Sequence, residues 1–123
     1  MVDIICDTSF LIVLASKPIK RLDVLENNIG KIDFIIPTIV IDELNNLVSS
    51  ATAKRANAAR LALELASRFK TVSLQGKNAD ETIVDYASKH RCYVATIDNV
   101  LKNKLRNNGI DVITLVKDRI IVS

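Results

Sequence analysis

Four acidic residues occupy positions where a charge is costly. Asp7 directly follows the apolar run "VDIIC", and Asp98 follows "CYVAT" with one residue between. At about 100° per helical residue, Glu43 of "IDEL" falls on the face formed by Ile39, Val40, Leu44, Leu47 and Val48. The same spacing puts Asp80 of "ADETI" among Ala79, Ile83, Val84 and Ala87. Asp42, Glu81 and Asp85 point outward, and Glu81 stands three residues after Asn78, as in a capping box. An acid on an apolar face must be neutralised, paired or bound to a metal.

Each acid also has a plain structural explanation. Asp7 and Asp98 precede helical patterns and could simply cap them. Glu43 and Asp80 could be buried ion pairs, with Lys54, Arg55 or Arg60 as the cation. Taken together, a common site is favoured. Two carboxylates about 5 Å apart repel by roughly 3 kcal/mol at an effective dielectric near 20. A hard divalent cation removes that repulsion, and carboxylate oxygens suit Mg²⁺ or Mn²⁺. Cys6 and Cys92 read as small buried thiols without metal-ligand spacing. His90, the only histidine, sits at a charged helix end where a solvated or capping role is expected.

The elements that must position these acids alternate. "VDIIC", "KIDFII", "KTVSL", "CYVAT" and "DVITL" read as strands, with "RIIVS" as a closing edge strand. Between them lie the helical segments "SFLIVLAS" and "IKRLDVLENN" (separated by Pro18), "PTIVIDELNNLVSS", "TAKRANAARLALELASRF", "NADETIVDYASKH" and "DNVLKNKLRNN". Pro37 suits a first helical turn, Gly109 stops the last helix, and most leucines of "RLALELASRF" read as core. Apolar strands alternating with helices predict an α/β fold, a three-layer α/β/α sandwich around a mostly parallel sheet. In such sheets the functional crevice lies beyond the carboxyl ends of the strands. Asp7 and Asp98 stand at such ends.

The remaining sequence features narrow the class. A chain of 123 residues with 49% apolar and 25% charged residues predicts one globular domain, residues 1–123. Scarce aromatics argue against a reader built on stacked aromatic platforms. No run approaches the ~18 apolar residues of a membrane span, and Asp3 interrupts any signal-peptide pattern, so a cytoplasmic protein without a membrane partner is expected. The net charge of +3 is compatible with a polyanionic partner.

Asp7 after the first strand, "IDEL", "ADETI" and "VATIDNVLKNKL", in that order along essentially the whole chain, resemble the PIN-domain ribonucleases. The resemblance implies that Asp7, Glu43, Asp80 and Asp98 hold one or two Mg²⁺ or Mn²⁺ ions and hydrolyse single-stranded RNA. It implies supporting roles for Thr8, Ser9 and Thr96, which could orient ligands or touch phosphate, with helix capping as the simpler role for Thr8 and Ser9. Lys54, Arg55, Lys102, Lys104 and Arg106 are candidates to hold the RNA backbone. "YVATIDNVLKNKLRNNGIDVITL" is closest in appearance to the ribosomal-RNA-processing branch. VapC toxins commonly carry an acid and then an aromatic residue where this chain has Val100 and Leu101, which puts the toxin reading second. Ile97, at the second position of the family's "TND" pattern, and Val100 motivate a third reading, a weakly active or non-catalytic RNA-binding assembly factor. A homodimer, and a protein partner such as an assembly factor or antitoxin, are also expected from the resemblance.

A phosphoacceptor domain of similar architecture fits worse. A receiver would want paired acids at the first strand end and a lysine at a later one. A haloacid-type phosphatase would want a second acid where this chain has Ser9.

Overall fold

A computed structural model describes residues 1–16, 22–116 and 119–122. Strand β1 (Val2–Cys6) is followed by helices α1 (Thr8–Ser16) and α2 (Leu22–Ile29), strand β2 (Ile32–Pro37), and helices α3 (Thr38–Ser50) and α4 (Ala53–Ala66). Then come β3 (Lys70–Val72), α5 (Ala79–His90), β4 (Tyr93–Ala95), α6 (Asn99–Asn107), β5 (Val112–Val116) and β6 (Arg119–Val122). The strand order is β3-β2-β1-β4-β5-β6. β1 to β5 are parallel, and β6 pairs antiparallel with β5. The expected α/β architecture with a mostly parallel sheet is therefore present. Pro18 and residues 19–21, expected to break and begin helices, lie outside the described residues.

β1 lies at the centre because its residues can be buried on both faces. Ile4, Ile5 and Cys6 are fully inaccessible, as a continuous apolar run in a parallel sheet requires. From β1 the chain moves outward to β2 and β3, then crosses back to β4 and β5. Right-handed crossovers in these two directions put helices on opposite faces. α1, α3 and α4 pack together in one layer, while α5 and α6 pack with each other and against β4 and β5. The reversal makes the β1/β4 boundary the switch point of the sheet, where a crevice opens beyond the strand ends.

Several local expectations need correction. Pro37 ends β2 and is the N-cap of α3, because its ψ of 143° keeps it extended and the helix begins at Thr38. β3 and β4 are shorter than the apolar runs that mark them. Thr96 nevertheless continues the pairing, its N–H donating to the Ile113 carbonyl at 3.0 Å. The buried face of α4 is alanine rather than leucine: Ala56, Ala59, Ala62 and Ala66 face inward, while Leu61 is half exposed and Leu63 and Leu65 are only partly covered. Small side chains let α4 lie close against both α1 and α3. Cys6 is buried, Cys92 only half-buried, and both are free thiols. Gly109 adopts φ 71° just beyond α6, the left-handed conformation that glycine supplies at helix ends.

α6 is anchored by Leu101 and Leu105, both fully buried, while the adjacent Val100 is 61% exposed. Leu101→Ala should therefore destabilise the protein by about 2–5 kcal/mol. Val100→Ala should change stability by less than about 0.5 kcal/mol. Urea denaturation of the two variants checks this, and equal losses would contradict the packing of α6.

Candidate active site

Asp7 leaves the end of β1 and becomes the cap of α1. Its Oδ1 accepts the Phe10 N–H at 2.9 Å. Ser9 Oγ donates to both carboxylate oxygens at 2.9 and 3.1 Å, and Thr96 Oγ1 donates to Oδ2 at 2.6 Å. Asp98 caps α6 in the same manner, with its Oδ1 accepting the N–H groups of Val100 and Leu101 at 2.8 and 3.3 Å. Capping and site membership are thus not alternatives. The geometry that aims a strand-end carboxylate into the crevice also puts it over the first turn of the next helix.

The hydroxyls do not cap helices. Thr8 Oγ1 donates to Glu43 Oε2 at 2.8 Å, fixing the acid of α3 from the first turn of α1. Ser9 Oγ accepts the Ile97 N–H at 3.3 Å, and Thr96 Oγ1 accepts the Asp98 N–H at 3.0 Å. Ser9 and Thr96 therefore bind Asp7 to the loop that carries Asp98. The contact of residue 97 is made by its backbone and survives any non-proline side chain.

Asp7, Glu43, Asp80 and Asp98 all line one cleft of about 230 Å³ at the carboxyl edge of the sheet. They differ in exposure: Asp7 is buried at 7%, Glu43 and Asp80 are half-buried, and Asp98 is exposed. Ile12, Val40, Leu47 and Ile83 supply the apolar wall, and Arg55 lines the cleft from α4. The ion-pair explanation fails among the described residues. No lysine or arginine bridges Glu43 or Asp80 there, and Arg60 instead donates to Asn57 on its own helix at 2.7 Å. Lys54, Lys102, Lys104 and Arg106 do not line the cleft. Away from it, His90 is exposed and stacked on Tyr86 at 4.0 Å, a surface role. Asn78 caps α5 through the Glu81 N–H at 3.1 Å.

Burial pushes the Asp7 carboxyl up to about 6. The donors Thr96, Phe10 N–H and Ser9 pull it back in part, and the charge of Asp80 raises it further. Asp80 is also raised, by burial and then by Asp98, with Lys104 acting in the opposite direction. Like charges are therefore concentrated here without protein cations to neutralise them fully. The donor set consists of carboxylate and hydroxyl oxygens, the chemistry of a hard divalent ion. Among the described residues no three acids converge as a ready-made cage.

A doubly wound sheet with an all-oxygen acidic cleft at its switch point defines a small class of α/β domains. Residues 4–118 match the family model described as a PIN like domain, and the chain belongs to that family. It is 33% identical over 119 residues to Ribonuclease VapC4 of Methanocaldococcus jannaschii, covering 94% of this chain and 91% of that protein. It is 35% identical over 86 residues to Ribonuclease VapC9 of Archaeoglobus fulgidus, covering 70% of this chain. That second alignment spans 63% of the relative, less than two thirds of its length. The solved structure of the PIN domain endonuclease Utp24 superposes with a TM-score of 0.76 at 28% identity, covering 98% of this chain and 90% of that one.

The raised Asp7 carboxyl has a stability consequence. An unfolded aspartate titrates near 3.8 and the folded one near 6. Between these values the folded state binds more protons, so stability falls as pH rises through that window. Above it, the ionised group costs up to about 3 kcal/mol in metal-free protein. Asp7→Asn should therefore raise Tm at pH 7.5 without divalent ions and have little effect at pH 4. Thermal melts across pH 4–7.5 check this; a variant less stable at pH 7.5 would contradict it.

Proposed function

We propose that this chain is a metal-dependent endoribonuclease that hydrolyses phosphodiester bonds of single-stranded RNA. The observation carrying this reading is that Asp7, Glu43, Asp80 and Asp98 all line one cleft, with no cation paired to Glu43 or Asp80 among the described residues. The relatives named ribonucleases support it. The four acids would hold one or two Mg²⁺ or Mn²⁺ ions, which when bound lower the pKa of a water and offset charge on a phosphate.

The chain's own residues set the conditions. Ser9 and Thr96 hold the Asp7 carboxylate in one orientation, and Thr8 does the same for Glu43. Hydrogen bonding keeps these oxygens directed without neutralising them, so their charge remains available for a cation. The apolar wall limits water on one side of the cleft. Lys104, whose charge already acts on Asp80, stands near the cleft on α6 and offsets repulsion of a polyanion.

The physiological setting we favour is ribosomal RNA processing in the cytoplasm, by the resemblance of the segment from Tyr93 to Leu115. Val100 is exposed, so packing does not forbid the acid that VapC toxins commonly carry there, and its absence supports this setting. A VapC-type toxin with an antitoxin partner is the second reading, favoured by the two named relatives.

With Mn²⁺ or Mg²⁺, the purified protein should cleave single-stranded or ribosomal RNA, and EDTA should abolish the activity. Asp7→Asn should lower kcat by at least about 10³-fold while remaining folded, the scale of losing a principal electrostatic group. Cleavage that persists in EDTA or in the variant would remove the proposal. Growth arrest on expression, relieved by the product of an adjacent reading frame, would select the toxin reading.

A further inference from the structure

Among the cations near the site, Arg55 has a placement that local stability does not explain. It stands in the first turn of α4, where Thr52 accepts its backbone N–H at 3.5 Å. A cation there meets the positive end of the helix dipole, and the first turn of α4 contains no acid to offset it. The side chain is exposed, yet it lines the cleft that contains all four acids. It makes no ion pair with any of them among the described residues. Glu43, the acid on the neighbouring helix, takes its hydrogen bond from Thr8 instead. Lys104, on α6, already offsets Asp80. Among the described residues, the guanidinium of Arg55 therefore has no hydrogen-bond partner, in a cleft whose four acids repel a polyanion.

We propose that Arg55 is a substrate-binding residue of this site, its guanidinium taking a backbone phosphate of the RNA strand as it crosses the four carboxylates. This rests on the ribonuclease reading above. Its planar fork of donors matches two phosphate oxygens, which a lysine ammonium does not. Held on the α3–α4 side, with Lys104 on α6, it would define a path across the cleft from α4 toward α6.

The test compares single-stranded RNA binding, in Mg²⁺, by Asp7→Asn and by Asp7→Asn combined with Arg55→Gln or Arg55→Lys. These pairs report binding whether or not turnover occurs. Arg55→Gln should raise Kd by roughly 10–100-fold, the range for a charge-assisted hydrogen bond. It should also lower the slope of log K against log salt by about 0.7, one contact to a single strand. Arg55→Lys should recover part of the affinity. Tm should stay the same or rise, because the unfavourable dipole contact is removed. Unchanged Kd and salt slope would overturn the assignment. So would a binding loss accompanied by a fall in Tm of several degrees that Arg55→Lys does not recover. Cleavage by the wild-type protein is measured alongside; its absence would count against the ribonuclease reading, while the binding pairs still decide Arg55.

Discussion

Keeping a carboxylate at the buried end of the central strand is the constraint on which the site depends. Asp7 is only 7% exposed, and among the described residues no cation pairs with it. Compensation comes from neutral donors: two hydroxyls and one helix N–H. Such donors orient a carboxylate without consuming its charge, but they fall short of full solvation in water. The deficit appears as the raised carboxyl, and Asp80 adds to it by repulsion. A protein built only for stability would place a guanidinium here or remove the charge. On the proposed function, that deficit is what a bound cation would relieve.

The same constraint ties separate elements together. Ser9 comes from α1 and Thr96 from the loop after β4, and both meet at Asp7. Those two strands are adjacent and parallel, with Cys6 opposite Ala95. Their ends are therefore level, and each following helix starts at the same edge. Cap and site coincide because an aspartate at a strand–helix junction can accept helix N–H groups and still border the crevice. Asp98 shows this economically: Oδ1 takes both capping bonds.

Much of this was legible beforehand, and for an identifiable reason. Strand and helix order followed from apolar runs and helical periods, which are properties of ten or so consecutive residues. The placement of Glu43 and Asp80 within apolar faces followed from the same 100° arithmetic. The errors were local too. Alanine, with its small apolar area, carries little periodic signal, so the sequence pattern points to the leucines of α4 for the buried face that its alanines occupy. For β3, "KTVSL" runs two residues past Val72, the last residue paired with β2.

The sequence by itself determined which residues stand at strand ends and which acids interrupt apolar faces, since these depend on covalent neighbours. Only the tertiary structure decided what compensates each acid. Thr8 serves Glu43 from 35 residues away, and Thr96 serves Asp7 from 89. It also separated Arg55, which reaches the cleft, from Lys54, which does not. Electrostatic and hydrogen-bonding energies depend on distance through space, which the folded chain sets.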